Sequence, residues 1–287
     1  MAATTEQAAR QLAPRTRLII NADDFAFTPA VTAGILEAHH AGSVTSTSMM
    51  VHCPGWDDGV RQAKATPTLG IGLHLNLVVG APLTTAPSLT DRRTGRFASL
   101  STLTRRALTG ALNIDEAEAE CVAQLEALDR AGVVATHIDS HRHTHALPVL
   151  HRAVARVAVR RGLPLRRPVE SHRRFPNDLP SQLHRGVIAC SWRVTSVTAA
   201  VTRAPNHFIG VSMQGSEGFS SRLLRVLDSL PAGSVELMVH PGHVDDALLA
   251  VDGYTTPREV ELTALRSAAV RDRLTRGDIA LVNFGAL

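Results

Sequence analysis

A chain of 287 residues with 44% hydrophobic and 20% charged content suits one large α/β barrel or two modest domains, not a disordered or fibrous protein. The formal charge of +4 and a pI near 9.6 raise nucleic acid as a partner, yet Lys64 is the one lysine, the arginines are scattered, and ten aromatics give no stacking platform. No apolar window approaches membrane-span length, and Cys53, Cys121 and Cys190 form neither a disulfide framework nor a thiolate zinc motif.

Taken in order, residues 1–16 are polar, lack a signal-peptide core and are expected to be frayed, as in a cytoplasmic protein. Leu18, Ile19 and Ile20 then form a strand running into Asn21-Ala22-Asp23-Asp24-Phe25. A helix follows, with Thr28 as N-cap, Pro29 at its first position, Val31, Ile35 and Ala38 on one face, and Gly42 beyond its end. Residues 46–51 read as a strand, 55–65 as a helix, and 69–77 as a third strand in which Gly70 and Gly72 mark close approach of backbone or ligand. From 78 to 99 the pattern dissolves into a connection far longer than the usual ~4–6 residues, so it is read as functional or mobile.

Helical periodicity returns over 100–112 and from 115 to Gly132. The apolar Val133, Val134, Ala135 and Ile138 lead, as a fourth strand, into Asp139-Ser140-His141-Arg142-His143-Thr144-His145. Three histidines in five residues behind an acid favour a ligand cluster over a solvated loop, because imidazole is the commonest nitrogen ligand of divalent metals. A helix around 150–161, a short fifth strand at 165–168 and a loop-and-helix region over 171–206 follow. Residues 207–212 and 234–239 are further strands, the latter delivering His240-Pro241-Gly242-His243, and a helix over 256–274 leads to a final strand at 279–284.

Strand and helix alternate seven or eight times over a length close to the ~250 residues of a (β/α) barrel, with mostly parallel strands, so a single barrel domain over 17–287 is expected. Asp23, Asp24, His74, Asp139, His141 and His240 all fall near the C-terminal ends of predicted strands, where barrel enzymes keep their active sites.

These motifs, with Gly72-Leu73-His74-Leu75, Glu236-Leu237-Met238-Val239-His240-Pro241-Gly242 and the closing Gly277-Asp278-Ile279, resemble the YdjC-like carbohydrate deacetylases in the family's order. Ala26 departs from the family, which usually has glycine after Asp-Asp-Phe. The resemblance implies a polysaccharide-deacetylase-like barrel that removes an N-acetyl group from an amino-sugar substrate and releases acetate. It also implies Asp24, His74 and His141 as ligands of one divalent ion, often assigned as Mg2+, and Asp23 as the base. The residue types themselves suit Zn2+, Mn2+, Co2+ or iron better than an all-oxygen magnesium site. His240 is the candidate to protonate the leaving amine, and Asp139, His143 and His145 are candidates to contact substrate or to orient the ligands. Two alternatives stay open on the residues alone: a metal-dependent phosphoesterase on a similar barrel, and a non-catalytic metal- or sugar-binding relative. Nothing in the sequence decides oligomeric state, and a homo-oligomer is compatible with it.

Overall fold

The computed structural model describes residues 14–171, 179–196, 202–215 and 217–287. Most of the expected frayed segment, and parts of the 171–206 region, lie outside these residues.

Seven strands form one parallel sheet among the described residues: β1 (Thr16–Phe25), β2 (Ser46–Met49), β3 (Gly70–Leu75), β4 (Ile138–Ser140), β5 (His207–Ile209), β6 (Gly233–Val239) and β7 (Ile279–Leu281). Its order is β4-β3-β2-β1-β6-β5, with β7 against the start of β1. Helices connect the strands: α1 (Pro29–His40), α2 (Trp56–Ala65), α3 (Leu100–Leu108), α4 (Ile114–Arg130), α5 (Leu150–Arg161), α6 (Leu179–Ser196), α7 (Phe219–Asp228), α8 (Asp246–Leu249), α9 (Thr256–Leu265) and α10 (Ala268–Leu274). None of the described helices is long and apolar enough to cross a membrane.

The fold is therefore a parallel α/β half-barrel whose pairing path ends at β4 and β5. The expected fifth strand shrinks to a single parallel bridge between Leu165 and Ile138. The fourth begins only at Ile138, because Val133–Ala135 run irregularly with Val134 exposed to solvent. The expected helix over 256–274 is two, since Ser267 caps a fresh start by accepting from the Val270 amide.

Alternation divides β1 into two faces. Leu18, Ile20 and Ala22 are buried in the apolar core, whereas Asn21 and Asp23 turn into the hollow of the half-barrel. That hollow is filled with polar side chains. Arg166, fully buried, bonds Asp23 of β1 at 2.6 and 2.7 Å and Glu236 of β6 at 2.6 Å, and pairs with Asp139 of β4 at 2.8 Å. One guanidinium can touch strands so far apart in the sheet only if the sheet curls around it. Below this network the His137 ring stacks on Phe284, centroids 3.8 Å apart.

The long 78–99 connection is fastened rather than loose. Buried Glu120 of α4 accepts from the Leu83 and Thr84 amides and from the Thr84 hydroxyl, Glu116 accepts from the Ser88 amide at 2.7 Å, and Arg106 donates to the Ser88 and Thr90 carbonyls. Its ordered path delivers Leu100 to the mouth of the cavity described below.

Gly72 makes room for the His137 ring, since a Cβ there would lie 2.3 Å from the imidazole. Gly72→Ala is expected to destabilise the fold by about 1–3 kcal/mol, the usual range for overpacking. Adding His137→Ala should cost less than the sum of the two single changes, as thermal melts of the three variants will test; strict additivity would refute the steric account.

Candidate metal centre and active site

Successive residues of a regular strand point to opposite faces, so Asp23 and Asp24 ought not to share a cavity. They do, because the β1–β2 register shifts between Ala22 and Phe25 and Asp24 takes a left-handed conformation with φ 74°. A bulge of this kind re-aims side chains next to active sites. Ala26 is left-handed as well, at φ 64°, which accounts for the glycine usual at that position. Room for its methyl comes from Gly59, where a Cβ would fall 2.5 Å from it.

Two adjacent buried carboxylates repel each other unless each has its own cation. Arg166 grips both oxygens of Asp23, while Arg258 donates to Asp24 Oδ2 at 2.6 Å and to Asp252 at 2.8 Å. Burial alone would raise both aspartates; Arg166 and Arg258 outweigh it and hold each carboxyl below its ordinary range.

The free oxygen of Asp24, Oδ1, lies 3.1 Å from His74 Nε2 and 2.9 Å from His141 Nδ1. One donor atom from each of the three residues falls within 4.8 Å of the others, all buried. Two imidazoles and a one-oxygen carboxylate, Asp24 and His141 at the wall of a cavity and His74 directly behind it, form a donor set that a divalent ion fits. His74 is oriented from behind: its Nδ1 meets Asp139 Oδ1 at 2.7 Å and Ser48 Oγ at 3.0 Å, the kind of support metal-binding histidines receive. Burial would lower this imidazole, but Asp139, with Asp24 and Asp23, lifts it to about 10. A second trio, Asp23, His74 and Asp139, also has suitable spacing, but the Arg166 guanidinium sits on both of its carboxylates and excludes a second cation.

The cavity has a volume of about 240 Å³. His240 faces Asp23 across it, with Nε2 3.9 Å from Asp23 Oδ2 and 3.3 Å from the Gln214 amide nitrogen. Its backbone N–H donates to Glu261 Oε2 at 2.6 Å. Burial brings the His240 imidazole down to about 4, so it is neutral near pH 7.

The structure thus brings Asp23, Asp24, His141, His143 and His240 to the wall of one cavity, with His74 and Asp139 directly behind. His143 reaches that wall through a left-handed backbone at φ 52°, and its Nδ1 has no hydrogen-bond partner among the described residues. His145 does not reach it: Nδ1 is held by Ser140 Oγ at 2.5 Å, Nε2 by the Arg166 carbonyl, and the ring packs edge-on against Trp192. It braces the turn and does not line the cavity. Sequence reasoning missed Arg166, Arg258, Asp252, Tyr254, Gln214 and Leu100. The only available signal was indirect, in that several expected buried acids imply buried cations.

A family model described as YdjC-like protein matches residues 17–276. The chain belongs to the YdjC-like family. This YdjC-like chain is 34% identical over 274 residues to a carbohydrate deacetylase of Brevibacillus brevis, covering 94% of this chain and 99% of that one. It is 33% identical over 258 residues to a chitooligosaccharide deacetylase of Yersinia enterocolitica, covering 90% and 93% respectively. A solved structure from Enterococcus faecalis V583, provisionally described as a cellobiose-phosphate cleavage protein, superposes with a TM-score of 0.76 at 29% identity, covering 96% of this chain and 99% of that one.

Replacing Ala26 by glycine removes a Cβ from a left-handed residue and is expected to stabilise the fold by about 1 kcal/mol. Denaturant titration measures this, and a loss of stability would mean that packing of the methyl outweighs the backbone strain.

Proposed function

We propose that the chain is a metal-dependent N-deacetylase that hydrolyses the acetamide of an N-acetylglucosamine-type unit to acetate and a free amine. The observation that carries this reading is the buried Asp24-His74-His141 trio with Asp23 and His240 facing each other across the same cavity, in a chain whose relatives are named carbohydrate deacetylases. With this reading go Asp24, His74 and His141 as ligands, and a barrel of the polysaccharide-deacetylase kind completed through the 165–168 segment. The nitrogen-rich donor set favours Zn2+, Mn2+ or Co2+ over Mg2+.

When bound there, the ion supplies a Lewis acid that acidifies water and polarises the amide carbonyl. Asp23, ionised and held by Arg166, takes the proton from the attacking water. His240 Nε2 faces Asp23 Oδ2 at 3.9 Å, beyond direct hydrogen-bond reach, so the proton taken by Asp23 reaches the imidazole through one bridging water. His240 then delivers it to the amide nitrogen as the C–N bond breaks and the bond pair moves to nitrogen. Neutral His240 at rest is what this single-proton relay needs. Asp139 keeps His74 in one tautomer by accepting from Nδ1–H, and Arg258 occupies Asp24 Oδ2 so that Oδ1 alone is offered to the ion.

Asp23→Asn should retain metal and lose turnover by about 10²–10⁴-fold, whereas Asp24→Asn, His74→Ala and His141→Ala should lose tight metal binding with the fold intact. Elemental analysis beside acetate release from N-acetylated sugars tests the division of roles; equal metal loss in the Asp23 and Asp24 variants would sink it.

A further inference from the structure

His74 is held by a carboxylate on its rear nitrogen, whereas His240 is not. Its Nδ1 is buried with no hydrogen-bond partner among the described residues, and its Nε2 meets the Gln214 amide nitrogen at 3.3 Å. Which way an imidazole faces is usually set by the bond its other nitrogen makes, so at His240 the backbone and the packing of the ring have to set it.

Both lead to one side chain on α9. β6 ends at Val239, and the next amide, that of His240, donates to Glu261 Oε2 at 2.6 Å. Glu261 Oε1 accepts from the Tyr254 hydroxyl at 2.5 Å, and the Tyr254 ring lies against the His240 ring with centroids 5.3 Å apart. The same hydroxyl accepts from the Gly215 amide at 2.8 Å, which seats the neighbouring Gln214 beside His240 Nε2. One carboxylate thereby ties together the end of β6, the aromatic ring beside it and the loop after β5.

Glu261 also stands apart from the other acids around the cavity. Asp23, Asp24, Asp139, Asp252 and Glu236 each pair with an arginine, whereas Glu261, 2% exposed, forms no ion pair among the described residues. Burial lifts its carboxyl to about 7, against the bonds from the His240 amide and the Tyr254 hydroxyl that favour the charged form. A buried carboxylate held by neutral donors alone costs stability, and groups kept at that cost cluster at functional sites. Two acceptor oxygens are what this place requires, and a glutamine would offer one.

We propose that Glu261 is a positioning residue for the reaction: through the backbone amide of His240 and through the Tyr254 ring, it fixes the His240 imidazole in the orientation that faces Asp23 across the cavity. The proposal rests on the deacetylase reading, in which His240 protonates the leaving amine, for its kinetic consequence, but the orientation itself is tested without turnover.

Glu261→Gln keeps the shape and one acceptor, and Tyr254→Phe removes one arm while keeping the ring. In the proton–carbon correlation spectrum of the imidazoles, the His240 signal is identified by its loss in His240→Ala. It is expected to shift in Glu261→Gln and, less, in Tyr254→Phe, while the signals of His137, stacked on Phe284, and His145, held by the Arg166 carbonyl, stay in place. In acetate release, Glu261→Gln is expected to lower kcat by at least about tenfold with KM little changed, a part of the ~10²–10⁴-fold that general acid–base help contributes. In the His240→Ala background the same change should cost less than about twofold, because the group it aims is gone. An unmoved His240 signal, or a Glu261→Gln loss of equal size with and without His240, would overturn the proposal. So would joint movement of the His137 and His145 signals, which would make Glu261 a residue of the fold at large. A moved His240 signal with no acetate released by the wild type would count against the deacetylase reading alone.

Discussion

The Arg166 guanidinium stands fully buried among carboxylates delivered by β1, β4 and β6, and the geometry of the hollow follows from that grouping. A cation taken so far from water is tolerable only with close partners, and removing one member of such a set typically costs several kcal/mol. The dependence is mutual. Without Arg166, Asp23, Asp139 and Glu236 would share a sealed interior as like charges, and even with it burial lifts Glu236 to about 7. Through Asp23 the network sets the charge of the proposed base, and through Asp139 it sets the orientation of His74.

Arg258 plays the complementary part at the outer edge. By claiming Asp24 Oδ2 and Asp252 together, it gives the second acid a charge partner that does not compete with the first. Chemically identical neighbours thereby acquire separate environments, one locked into the interior network and one aimed at two imidazoles. The same device, in which environment assigns the role of a carboxylate, recurs wherever paired acids divide labour.

The strand ends were legible in the sequence because Asp23, His74, Asp139 and His240 each break an apolar run, and a polar group at that place is hard to explain as core. The closing helix was legible as periodicity but not as two pieces, since Ser267 interrupts the backbone without interrupting the apolar pattern. Residues 133–135 were apolar enough to suggest a strand, yet the Val133 amide is spent on the Leu128 carbonyl in closing the preceding helix, and backbone bonds to β3 begin only at Thr136. Arg166 and Arg258 were invisible for a different reason. Thirty basic residues offer no local mark of which two are buried, and their partners lie 143 and 234 positions away in the chain. The left-handed backbone at Asp24, Arg142 and His143 likewise leaves no decisive trace, since aspartate and histidine visit that region more often than most residues but still only in a small minority of cases.

The shifted register on β1 makes the pair of acids a property of strand length as much as of residue identity. Because side chains alternate with a period of two, losing one residue between Ala22 and Phe25 would restore an even ladder against β2 and leave room for one acid on the inner face. The site is thus more vulnerable to a single-codon deletion there than to most substitutions on the outer face of the same strand. Helix and loop positions that do not touch Arg166, Arg258 or the cavity wall can vary, while this one surplus residue has to stay.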